Sequence, residues 1–540
     1  MHLHCSTIFQ LKYLLYSLVA LILFSCAQIQ NPDGGPTDEI PPKIKKAYPN
    51  IGATNFNDNE VKVIFDEFIV LNQINQEAIV SPPMSTDPEY KVNNKTLKVS
   101  LGEALLPNTT YTINLGNGIK DFHEGVVLDS NVLVFSTGDY IDSLSISGTV
   151  KNALDLKPQE KFLVLMYESD RDSIPSKKRP YYYTKTDEFG NFKLNYLKSG
   201  PFSLFVLEDK NSNRFYDLPN EQIGFLMEQV NTSNADSLYT IHSFQPDNEK
   251  QFVVSLKEEK PGKLILILNK PAEAVDVKIL GRTFKKPWYE SDTILQGDTV
   301  RLWTDLARLE EQEVGIVVTA DNAILDTVKL KLSEFDSSKI QTPTLSTNIK
   351  SGFAKYFDPL YIYSDIPIKS FNDSILLTIG TEDTIKVGVS KVGSKKLQVN
   401  YNLQQESSHT LILPDSFATD ILGFKSKELV GQFKTKSDIE YANLKLGIEL
   451  TSSEHVILQF LNKAGTILRE VKFVGNQSFE FINLSPGEYQ LKMIFDSNID
   501  GKWTTGKYIP RTLPERVIFY SEKLEMKEGW DKDITWTIPE

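Results

Sequence analysis

Beyond Pro42 the hydrophobic positions come in short runs that alternate with polar ones, as in Val61-Lys62-Val63-Ile64-Phe65, Thr96-Leu97-Lys98-Val99-Ser100 and Tyr111-Thr112-Ile113-Asn114-Leu115. A period of two places alternate side chains on opposite faces of a strand, and the Asn, Gly and Pro residues between the runs supply turns. Helical periodicity is nearly absent; Leu306 to Val314 is the one stretch that reads as a short helix. Short strands at this spacing predict an all-β chain built of sandwiches. Only the beginning breaks the pattern. The run Leu14 to Phe24 is apolar but for Ser17, about half of the roughly 20 residues needed to cross a bilayer. It reads as the core of an export signal over residues 1–25.

That run ends in Leu23-Phe24-Ser25-Cys26, which resembles the lipobox of bacterial lipoproteins. The resemblance implies that Cys26 becomes the lipidated first residue of the mature chain, with the membrane as a partner through its acyl chains. Each buried methylene contributes roughly 0.8 kcal/mol, so several chains hold a folded body without a spanning helix. Residues 26–37, with Asn31-Pro32-Asp33-Gly34-Gly35-Pro36, read as a flexible tether. Ala27 is not the Asp associated with inner-membrane retention, so the resemblance implies outer-membrane delivery and leaves open whether the body faces the periplasm or the outside.

A length of 540 residues exceeds one core and predicts three to five domains. Composition is that of a folded body, with 40% hydrophobic and 24% charged residues. The net charge is −13, and removal of residues 1–25, whose one charge is Lys12, makes it −14. Such an acidic surface argues against a nucleic-acid partner. The two cysteines are Cys5 and Cys26, so the mature chain has no internal disulfide and depends on apolar burial and sheet hydrogen bonds.

Between Asp38 and Gly138 the order Ile40-Pro41-Pro42, Tyr48-Pro49, Val63-Ile64-Phe65-Asp66-Glu67, Leu106-Pro107-Asn108-Thr109-Thr110-Tyr111, Gly118-Ile119-Lys120-Asp121 and Phe135-Ser136-Thr137-Gly138 resembles the SbsA-type bacterial Ig-like domain found near the N-terminus of many Bacteroidetes lipoproteins. The resemblance implies a β-sandwich over 38–139 that acts as a spacer or interaction module and carries no catalytic residues. Residues 143–250, with Thr186-Asp187-Glu188-Phe189-Gly190-Asn191-Phe192 and Leu197 to Phe202, resemble carboxypeptidase-regulatory or transthyretin-like sandwiches. Internal repeats extend both readings. Phe479-Glu480-Phe481 and Leu484 to Tyr489 repeat the Phe192 to Phe202 pattern, and Gly487 precedes Asp496 by the same nine residues that separate Gly200 from Asp209. Thr410 to Leu413, Asp420 and Phe433-Lys434-Thr435 echo Thr112 to Leu115, Asp121 and Phe135-Ser136-Thr137. A diverged Ig-like domain is therefore expected over 346–437 and a second transthyretin-like domain over 440–540, with a further β-sandwich over 255–342.

Candidate chemistry is sparse. Asp209, Asn211, Asn213 and Asp217 form one oxygen-bearing loop, and Asp496, Asn498 and Asp500 form another, followed by Gly501. Oxygens at positions one, three and five match the start of a calcium loop; the same residues also suit a long hairpin whose side chains bond their own backbone, with Tyr216 or Trp503 packed across it. Tyr181 and Tyr183, alternating with Tyr182 on an expected strand, would share one face and could stack on a sugar ring, or fill the sandwich core. The mature chain's histidines, His123, His242, His409 and His455, are scattered. No thiol nucleophile, P-loop, dinucleotide fingerprint or Gly-x-Ser-x-Gly elbow is present. The chain reads as a lipid-anchored envelope protein of structural, adhesive or binding type with an unidentified protein or glycan partner and no catalysis; a glycan-binding or glycan-hydrolysing protein is the alternative.

Overall fold

The computed structural model describes residues 38–538 except 129–131, 235–237, 285–286, 294–296, 306–312, 334–341, 381–382 and 452. The export signal, Cys26 and the tether lie outside the described residues, as does most of the stretch read as a short helix; its last residues, Glu313 and Val314, belong to the strand Glu313–Ala320. The chain is nearly all β. Among the described residues, helix is confined to single turns at Ile74–Glu77, Ile174–Ser176 and Asp438–Glu440.

The chain divides into two compact units, one over Met1–Lys151 and Pro158–Ser243, the other over Asn152–Lys157 and Phe244–Glu540. Unit one begins with an Ig-like sandwich. Its four-stranded sheet runs in the order Ile44–Tyr48, Glu60–Phe65, Thr96–Ser100, Glu89–Asn93, and faces a three-stranded sheet of Ile79–Ser81, Thr110–Asn114 and Val132–Ser136. The alternation read in the sequence is the inside-outside alternation of the strands: Val61, Val63, Phe65, Leu97 and Val99 are buried together with Ile113 and Phe135. A short antiparallel pair, Ile69–Leu71 with Ile119–Asp121, closes one end.

The second sandwich of unit one has a three-stranded sheet in the order Asn191–Leu197, Leu144–Asn152, Leu238–Ser243. Its larger sheet runs Tyr182–Lys185, Leu163–Tyr167, Pro201–Leu207, Ile223–Phe225, with Val230–Asn231 also on Pro201–Leu207. Near the end of the chain, in unit two, the order recurs strand for strand. Gln477–Leu484, Ala442–Leu450 and Asp531–Ile538 form the smaller sheet, and Ile467–Val474, His455–Asn462, Gly487–Phe495, Val517–Phe519 and Leu524–Met526 the larger. The repeat inferred from the Phe192 and Phe479 patterns is thus a repeat of topology.

The Ig-like order recurs too, with one change. In unit two, eight of the ten described strands between Leu345 and Thr435 form one continuous sheet, because Ser374–Ile379 pairs with Asp383–Gly393 in a tight hairpin; Ile368–Phe371 and Ala418–Asp420 pair apart from it. In the first Ig-like sandwich the equivalent strands, Ile79–Ser81 and Glu89–Asn93, are separated by Pro82, Pro83 and Pro88. Prolines lack the N–H a ladder needs, so the two sheets there remain apart. Unit two also holds a four-plus-three sandwich, Val253–Lys260, Lys263–Leu268, Thr299–Thr304 and Tyr289–Thr293 over Val275–Ile279, Glu313–Ala320 and Ala323–Lys331, around Leu264, Leu266, Ile316 and Val318.

Candidate functional site

The two acidic loops leave equivalent strands, Pro201–Leu207 and Gly487–Phe495, and lead into equivalent strands, Ile223–Phe225 and Val517–Phe519. Their backbones match. Positions four and six are left-handed in both: Ser212 (φ 61°) and Arg214 (φ 65°), then Ile499 (φ 60°) and Gly501 (φ 76°). The carboxylate at position one caps the turn in both. Asp209 accepts from the N–H of Asn213 (3.1 Å) and Arg214 (2.9 Å), and Asp496 from Asp500 (3.1 Å) and Gly501 (2.8 Å). Positions three, five and nine converge. The amides of Asn211 and Asn213 donate to Asp217 at 3.1 and 2.6 Å, and the Asn498 amide donates to Asp500 and to Thr504 at 3.0 and 2.8 Å. The oxygens at positions one, three, five and nine are those a hard cation would take.

A residue that sequence reasoning missed completes each loop. Glu221 is fully buried, accepting from the N–H of Lys210 (3.2 Å) with one oxygen and from Asp217 and Leu218 (both 3.1 Å) with the other. Glu515, 7% exposed, accepts from the N–H of Ser497 (2.8 Å) and of Thr504 (2.9 Å). Each Glu therefore ties position two to position nine. Burial pushes the Glu221 carboxyl up, against the backbone donors that draw it down. The indole N–H of Trp503 donates to the Glu515 carbonyl (3.1 Å), and Tyr216 is buried. These contacts are those of a hairpin whose side chains bond their own backbone.

The tyrosine platform is not formed. Tyr182 and Tyr183 are buried at 3% and 5% exposure, and Tyr181 packs on Tyr182 and Phe202 with the Lys198 ammonium 4.1 Å from its ring centre. The expected alternation fails because the strand starts at Tyr182; Tyr181 precedes it, and both it and Tyr182 reach Phe202. Tyr183 lies beneath Arg214, 5.2 Å from its ring centre. Arg214 and Arg179 both reach Asp87 of the first sandwich, at 3.4 and 2.8 Å, beside a cleft of about 200 Å³ lined also by Met84, Tyr90 and Tyr183. Lys185 adds a contact to the Gln76 carbonyl at 2.9 Å. These pairs fasten the two sandwiches of unit one side by side.

Asp121, His123 and Glu124 form a group whose ligand atoms lie within 4.8 Å of one another. Asp121 is buried and accepts from the N–H of His123 (3.2 Å) and Glu124 (2.6 Å), as an Asx turn does. Buried Asp420 performs the same task in the other Ig-like sandwich, accepting from Phe424 N–H at 2.8 Å.

Residues 38–137 match the bacterial Ig-like domain family. A search of curated proteins finds no relative. Among solved structures, the N-terminal part of the bacterial S-layer protein SbsC is similar at 12% identity, covering 55% of this chain and 45% of that one, with a TM-score of 0.14. The MG0-NIE-MG1 domains of α-2-macroglobulin from Escherichia coli are similar at 12% identity over 46% of this chain and 95% of that one, TM-score 0.19. Domains A168-A170 of titin are similar at 11% over 52% and 98%, TM-score 0.14. The chain spans less than half of the SbsC fragment it matches. No described helix is long and apolar enough to cross a membrane.

Proposed function

We propose that the chain is a lipid-anchored cell-envelope protein whose Ig-like and transthyretin-like sandwiches act as a structural or adhesive body, without catalysis. One observation carries the reading: the polar and aromatic groups that the sequence offers as sites are spent on holding sandwiches together. The loop carboxylates brace their own turns, Tyr183 is buried, and the Arg179–Asp87–Arg214 group joins two sandwiches. The match of residues 38–137 to a bacterial Ig-like domain supports an exported setting, and Leu23-Phe24-Ser25-Cys26 supplies the anchor.

The test uses cells making the native protein, fed an alkyne palmitate. Label on the wild type that disappears in Cys26→Ser, together with loss of the membrane-bound fraction, is the expected result; an unlabelled wild type overturns the anchor. Protease added to the same intact cells, with a periplasmic marker, then assigns the side. Digestion with an intact marker places the body outside, where adhesion partners and glycans are to be screened; protection places it in the periplasm.

A further inference from the structure

The short pair that closes one end of the first Ig-like sandwich is antiparallel, Ile69 opposite Asp121 and Leu71 opposite Ile119. Phe68 precedes the first strand and Phe122 follows the second, so both rings stand at the same end. The Phe122 N–H donates to the Phe68 carbonyl at 3.0 Å, and the exposed His123 ring contacts both phenyl rings, at 5.2 Å from Phe122 and 6.4 Å from Phe68. Both phenyl rings reach solvent: Phe68 is 43% and Phe122 62% exposed. The polypeptide enters the sandwich beside them. Lys43 N–H donates to the Asp66 carboxylate (2.8 Å) and Asp66 N–H to the Lys43 carbonyl (3.1 Å), two residues before Phe68, and Ile40 just upstream is 59% exposed.

We propose that this end of the sandwich docks on a lipid bilayer, with Phe68 and Phe122 seated among the headgroups and upper acyl chains. The inference rests on the lipid anchor proposed above and names the surface that the anchored body presents to the membrane. Asp38 lies twelve positions after Cys26, a reach of at most about 43 Å fully extended. The anchor therefore holds the aromatic end close to the bilayer, at an effective concentration where weak apolar contacts are populated. Exposed apolar side chains grouped together mark interaction surfaces, and partial insertion of Phe and Leu side chains is how proteins lie on membranes without crossing them. Charge selects the lipid. Asp66, Glu67, Asp121 and Glu124 lie near one another at this end, whereas the Lys95 ammonium beside Phe68 already contacts the Asp66 carbonyl. A zwitterionic surface suits this rim better than an anionic one.

The test attaches the mature chain, 26–540, whose one thiol is Cys26, to maleimide-bearing phosphatidylethanolamine in phosphatidylcholine vesicles. The Phe122→Trp variant is compared with Phe189→Trp, which replaces a 66% exposed aromatic in a turn of the next sandwich, and with the unchanged chain as fluorescence background. Brominated phosphatidylcholine is expected to quench the added emission of Phe122→Trp roughly twofold, as a depth of about 5–10 Å requires, and to leave that of Phe189→Trp unaffected. If the Phe122→Trp emission stays as bright as that of Phe189→Trp, on protein that floats with the vesicles, the docking surface is overturned; quenching of both variants alike overturns it too. Because the anchor is supplied chemically, this failure is separate from failure of the anchor itself, which the palmitate experiment reads. A protein partner on the same rim would leave the Phe122→Trp emission unquenched.

Discussion

A buried glutamate braces each acidic loop beside the aspartate that caps its turn. Removing the side chain of Glu515 takes the charged acceptor from the N–H groups of Ser497, exposed, and Thr504, half-buried, and a hydrogen bond to a charged group contributes about 1.5–3 kcal/mol. Glu515→Ala is expected to lower the stability of its sandwich by about 2 kcal/mol or more in chemical denaturation, whereas Asn498→Ala, at the exposed rim, should cost far less. The Asp and Asn residues of these loops were legible in the sequence because they cluster. The glutamates were not: Glu221 follows Asp209 by 12 residues and Glu515 follows Asp496 by 19, so unequal spacing hid an equivalence that only the fold reveals. His409 makes the complementary point. At 2% exposure its ring stacks 5.0 Å from Phe433 and shares a 2.8 Å contact with the Ser407 hydroxyl. Burial lowers its pKa below the ordinary value near 6.5. As pH falls, the unfolded chain takes up the proton first, so this contribution to stability is complete above about pH 6.5 and is lost below it. Tyr111 fills the equivalent place in the first sandwich, stacked 5.7 Å from Phe135. His409→Tyr should therefore keep the fold and flatten the loss of stability between about pH 7 and pH 5, measured by urea unfolding at each pH; His242, also lowered by burial and by Lys151, is left to supply a residual slope.

Strand alternation carried most of the architecture at the level of elements, because one face of nearly every strand is buried and register then fixes which residues are apolar. The repeated nine-residue spacing from glycine to aspartate gave away two sandwiches of the same order. What alternation could not convey was whether neighbouring strands join across sheets. That depends on Pro82, Pro83 and Pro88 in one copy and on the tight hairpin after Ile379 in the other. It likewise misplaced Tyr181 by one residue, at a strand boundary, where periodicity has the fewest positions to act on. Close approach of backbones is a further feature beyond the reach of pattern. A Cβ on Gly148, in Leu144–Asn152, would stand 2.0 Å from the Tyr239 carbonyl oxygen of the strand beside it and 2.8 Å from the Phe192 ring. Gly148→Ala is expected to push these strands apart and cost about 1–3 kcal/mol, with earlier exchange of amide hydrogens in Leu238–Ser243 than in Leu163–Tyr167, as hydrogen-exchange mass spectrometry would show.

Over the whole molecule, apolar clusters succeed one another along the chain: Ala47 to Phe135, Ile146 to Ile241, Leu256 to Leu332, Leu345 to Phe433 and Ala442 to Ile538. The last of these has a particular consequence. Ala442–Leu450, the first strand of its sandwich, pairs in parallel along nearly its whole length with Asp531–Ile538, the final one, and Gly447 meets Thr535 near the middle of that seam. Everything between Leu450 and Asp531 must be made before the seam can form. Until then Leu446 and Ile448 have an open edge beside them, which invites proteases and wrong pairings. Arrival of Ile538 thus acts as a latch for this one sandwich: a chain that stops before Asp531 leaves Ala442–Leu450 with one edge unpaired and the sandwich unclosed.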